Sequence, residues 1–139
     1  MTLSTLDTKK YCKIALIYLI ISIFLVLFGA VYEHFSFGVY SYFMLYAFAF
    51  FLVGGALPAL IFALWGVTAS PWPMAAWLYR GGIATLSIGS IIRGILDIYG
   101  TANGLIVLYW YVGGGLALVG AVLYIISLVR KCNQTVSEP

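Results

Sequence analysis

Four apolar stretches follow one another along the chain, parted by short clusters of polar and turn-forming residues. The first runs from Ile14 to about Tyr32 and is broken by the segment Glu33 to Gly38. The second runs from about Val39 to Leu64, and Thr68-Ala69-Ser70-Pro71-Trp72-Pro73 marks the turn after it. The third extends from Met74 to about Ile98 and gives way to Gly100-Thr101-Ala102-Asn103-Gly104. The fourth covers Leu105 to Val129, after which Arg130-Lys131-Cys132 opens a short polar tail. Each stretch can cross a hydrocarbon core of about 30 Å as a helix. Each is continuously apolar, whereas barrel strands alternate over about ten residues, so strands are excluded. The pattern predicts an all-α integral membrane protein, a single domain over residues 1–139 folded as an up-down four-transmembrane-helix bundle.

Composition agrees with lipid as the main solvent: 64% of residues are hydrophobic and the mean hydropathy is +1.09. Lys9, Lys10 and Lys13 ahead of the first stretch give it a superficial likeness to a secretory signal. It is longer than a signal core, and Phe28-Gly29-Ala30 places a bulky residue where cleavage needs a small one, so it reads as a retained first span. Basic residues then orient the chain. Lys9, Lys10, Lys13, Arg80, Arg130 and Lys131 fall at one end of the alternating spans and only Arg93 at the other, which predicts cytoplasmic N and C termini in a cell membrane. Cys12 and Cys132 would share the reducing side as inert thiols.

Projection at 100° per residue gathers small and polar residues onto one face of three spans. These faces are Tyr18, Ser22, Gly29 and Glu33 in the first, and Gly82, Leu86, Gly89, Ser90, Arg93 and Asp97 in the third. In the fourth they are Tyr109, Gly113, Ala117, Gly120, Tyr124 and Ser127. Gly82, Gly89, Gly113, Ala117 and Gly120 are therefore the expected helix-packing positions. Arg80 falls opposite the stripe of the third span and reads as an anchor snorkelling to headgroups. Pro58 has no N–H to give the carbonyl of Gly54, which predicts a kink in the second span at Gly54 and Pro58.

Glu33 and Arg93 each lie about 28 Å along their helices from the basic end, so they share a depth. His34, Tyr40, Tyr42, Asp97 and Tyr109 belong to the same outer layer. Both acids lie near helix C-termini, where the macrodipole disfavours an anion, and one guanidinium can bridge two carboxylates. An Arg93 clamp between Glu33 and Asp97 is the expected geometry, and this layer is the candidate site. A single histidine cannot supply the paired axial ligands of a membrane b-type haem, no CxxC pair is present, and no nucleophile with a base and orienting partner is visible. No metal, cofactor, catalytic residue or nucleic-acid partner is expected. The sequence points to a non-enzymatic accessory or subunit of a membrane assembly, with the lipid bilayer and another membrane protein or a second copy as partners. The alternative is a small oligomeric transporter or channel for an ion, proton or small solute that uses the Glu/Arg/Asp layer.

Overall fold

The computed structural model describes residues 3–39, 41–65 and 71–137. All regular structure among them is helical: α1 (Leu3–Phe35), α2 (Tyr42–Leu45), α3 (Ala47–Phe51), a π-helical turn (Leu52–Ala56), α4 (Leu57–Leu64), α5 (Pro73–Ile98) and α6 (Ile106–Ser137). Four helical segments are long and apolar enough to span a membrane, namely Thr8–Phe35, Tyr42–Leu64, Pro73–Ile98 and Ile106–Lys131. Among the described residues the fold is thus all-helical, with four helices that could each span a membrane by length and composition.

Both terminal helices are longer than the apolar runs that seed them. α1 begins at Leu3 rather than Ile14, and α6 continues through Arg130 and Lys131 to Ser137 where a polar tail was expected. No proline or glycine interrupts either extension, so nothing stops the helix once the membrane-embedded part has nucleated it. α5 has sharper ends. Pro73 occupies its first turn, where a missing N–H costs nothing. At its other end Gly100 takes φ +68, and the N–H groups of Gly100 and Thr101 return to the carbonyls of Asp97 and Leu96. This is the glycine-terminated cap of a Schellman motif.

The helices do not surround a common axis evenly. α5 and α6 share the most extensive interface, the second span lies between α1 and α5, and the backbones of α1 and α5 make no contact among the described residues. Close approach rests on residues without bulk. A Cβ added to Gly82 would run into the backbone of Ala117, and one added to Gly120 into the backbone of Tyr79. Gly113 lies against Leu86 and Gly89 against Tyr109. Met44 is buried between Gly29 of α1 and Gly94 of α5, so the second span acts as the spacer that holds those helices apart. The buried set is dominated by Ala, Ser and Gly, while Leu16, Phe24, Leu27, Leu118 and many other large apolar side chains point outward. Such an arrangement suits lipid, where tight van der Waals packing rather than apolar burial joins helices.

The second span is broken more heavily than one proline requires. It turns at Tyr46 (φ −94, ψ 4) between α2 and α3, then widens through the π turn that contains Gly54 and Gly55, immediately before Pro58. Broken backbone in hydrocarbon needs other donors for its carbonyls. α5 supplies three of them. Ser90 Oγ donates to the Phe43 carbonyl at 2.5 Å, Ser87 Oγ to that of Ala47 at 3.3 Å, and Tyr79 Oη to that of Gly54 at 2.7 Å. The last is the carbonyl that Pro58 cannot serve.

Candidate functional site

At the end of the molecule remote from the lysines, Arg93 and Asp97 face one another one turn apart on α5. Arg93 Nε lies 3.2 Å from Asp97 Oδ1. The alignment is too poor for a hydrogen bond, so the contact is ionic. The guanidinium carbon sits 5.4 Å from the centre of the Phe43 ring, a cation–π contact from α2. Ser41, buried just before α2, donates its hydroxyl to Asp97 Oδ2 at 3.3 Å. The pair therefore fastens the start of the second span to the end of α5.

The remaining residues of the layer disperse around it. No ion pair joins Glu33 to Arg93 among the described residues, so Arg93 forms only the Asp97 half of the expected clamp. The cause is the interposed second span, which separates α1 from α5 at Met44. Tyr32 packs its ring against Phe28 of its own helix. Glu33 is half-buried at the end of α1, and His34 is exposed with its ring edge-on to Phe35. Tyr42 is exposed, and Tyr109 packs its Cβ where Gly89 leaves room. Tyr40 lies outside the described residues, as do Thr68, Ala69 and Ser70 of the expected turn and the side chain of Cys132. Ser41 and Phe43, which complete the Arg93 contacts, carry no charge or motif by which the sequence could single them out.

A second constellation lies at the basic end, away from the expected layer. Between α1 and the α5–α6 pair, a cleft of about 200 Å³ opens among Tyr11 and Tyr18 of α1, Pro58 and Phe62 of α4, Tyr79 and Arg80 of α5, and Tyr124 of α6. Gly54, Gly55, Ala59, Ala76 and Ala121 leave the space between these larger groups. Aromatic contacts run round its wall: Tyr11 to Phe62 at 6.0 Å, Phe62 stacked on Tyr124 at 5.8 Å, and Tyr124 to Tyr79 at 6.2 Å. Tyr11, Tyr18 and Tyr124 share this wall with Arg80. An adjoining chamber of about 240 Å³ continues outward past Lys10, Pro71, Pro73 and Trp77, sharing Tyr11, Ile14, Ala76, Arg80 and Tyr124 with the first. Arg80 is exposed and stands at the junction of the two chambers. The stripe projection missed this because α5 has neighbours on two sides, with α6 on one and the second span on the other.

No family model matches the chain, and neither the curated proteins nor the solved structures contain a match to it.

Proposed function

We propose that the chain is a non-enzymatic subunit of a larger assembly in the cell membrane, oriented with its basic end in the cytoplasm. One observation carries the reading: the polar groups inside the bundle are taken up in joining its own helices. Ser87, Ser90 and Tyr79 serve carbonyls of the second span, and Arg93 and Asp97, still 39% and 32% exposed, are engaged with each other and with Phe43 and Ser41. Such a layer acts as a latch and offers little to a permeating ion. The partner is another membrane protein or a second copy of the chain, met through the apolar helix surfaces.

Transport is favoured by a single feature, the half-buried Glu33 with no ion pair to Arg93. One pair of experiments separates the two. Arg93→Ala should lower the abundance of the protein and its recovery in a complex by native mass spectrometry, leaving no selective flux defect in whatever protein folds. Cation- or pH-dependent uptake into proteoliposomes that is lost on Glu33→Gln, with folded protein retained, would reverse the assignment in favour of transport.

A further inference from the structure

The cleft at the basic end has the features of a site for a two-part ligand. Its inner chamber is walled by aromatic rings and methyl groups, among them Pro58, Tyr79 and the stacked pair Phe62 and Tyr124. At about 200 Å³ it exceeds the 150 Å³ apolar cavity known to admit benzene, so a short run of methylenes fits. Its outer chamber is bordered by two cations, Lys10 and Arg80. No ion pair of Arg80 is present among the described residues. The depth is informative as well. Trp72 and Trp77 are 66% and 75% exposed beside the outer chamber, and exposed tryptophans sit at the headgroup level of a bilayer.

We infer that this cleft binds an anionic phospholipid, its phosphate between Lys10 and Arg80 and the adjoining part of one acyl chain in the tyrosine-lined chamber. Charge, depth and shape each select this occupant. The cations stand where a phosphate of the basic-end leaflet lies, and basic pockets between spans are a recurrent way to hold acidic headgroups. The aromatic chamber continues from that point toward the bilayer centre, the direction in which an acyl chain leaves its headgroup. The bound chain would contact α1, α4 and α6 together, filling the gap between α1 and the α5–α6 pair. The inference goes beyond the subunit reading and requires only that the helices span a membrane.

The test is titration of the purified, monodisperse protein in mild detergent with phosphatidylglycerol or phosphatidylcholine, counting bound lipid by native mass spectrometry. Wild type should retain one phosphatidylglycerol per chain and bind phosphatidylcholine more weakly. Arg80→Gln should weaken phosphatidylglycerol binding about fivefold, the factor associated with one basic residue at an anionic surface, and Arg80→Lys should restore most of it. Arg130→Gln removes the same charge from the exposed end of α6, outside the cleft, and should change binding by less than about twofold. Ala121→Phe fills the chamber and should abolish retention in protein whose helix content is unchanged. Equal affinity for the two lipids, equal effects of Arg80→Gln and Arg130→Gln, undiminished retention in Ala121→Phe, or displacement of the lipid by inorganic phosphate would each overturn the proposal.

Discussion

Removing the hydroxyl of Tyr79 while keeping its ring isolates the bond to the broken second span. Tyr79 Oη lies 2.7 Å from the Gly54 carbonyl, whose ordinary helical donor, the N–H of the fourth residue onward, is missing because that residue is Pro58. Hydrogen bonds between membrane helices contribute about 0.6 kcal/mol on average and up to about 1.7 kcal/mol. A short bond to a carbonyl deprived of that donor belongs in the upper part of the range. Tyr79→Phe should therefore cost about 1 to 1.7 kcal/mol, roughly a five- to eighteenfold shift in the unfolding equilibrium. Pro58→Ala restores an N–H beside the same carbonyl. In that background Tyr79→Phe should cost less than about 0.5 kcal/mol, because a backbone donor can replace the hydroxyl. Reversible unfolding in mixed micelles, followed by fluorescence of the four tryptophans, gives all four corners of the double-mutant cycle. If the penalty agrees in the two backgrounds to within about 0.3 kcal/mol, the sites are independent and the explanation through the Gly54 carbonyl is refuted.

The seam between α5 and α6 gives a contrast between two chemically identical substitutions. Gly82→Ala drives a methyl group into the Ala117 backbone, which cannot rotate away, and should cost about 1 to 3 kcal/mol in the same unfolding assay. Gly115→Ala faces open space in the same pair of helices and should be neutral or stabilising by up to about 1 kcal/mol, so equal losses at both positions would refute the packing argument. The proposed orientation is checked by single cysteines at Ser36 and Ala102, in the connections at the end remote from the lysines, in a background free of Cys12 and Cys132. Both should react with an impermeant maleimide on intact cells, and labelling only after permeabilisation would invert the topology.

The span count is legible because the apolar runs are long and the punctuation between them is unambiguous: Pro71 and Pro73 in one connection, Gly100 and Gly104 in another. Pro58 likewise announces its own disturbance, since a missing N–H is a local property. The break at Tyr46 gives no such notice. Nothing in Leu45-Tyr46-Ala47 forbids a helix, and the turn is stabilised by Ser87 and Ser90, about forty positions away on α5. Arg93 and Asp97 could be paired from their four-residue spacing, but Glu33 could not be placed relative to them. Equal depth leaves open which helix stands between two others, and here the second span does. Arg80 shows the same gap in one-helix reasoning, because its significance comes from tyrosines on α1 and α6 that no projection of α5 can display.

The dependence of the second span on α5 also has a consequence in time. In a chain inserted from its N-terminus, Tyr42–Leu64 would enter the bilayer ahead of Tyr79, Ser87 and Ser90. During that interval the Phe43 and Ala47 carbonyls could be satisfied only by a continuous helix, so the turn at Tyr46 would form once α5 arrives. On that order of insertion the second span would enter straighter than it ends, and its final shape would be imposed by α5.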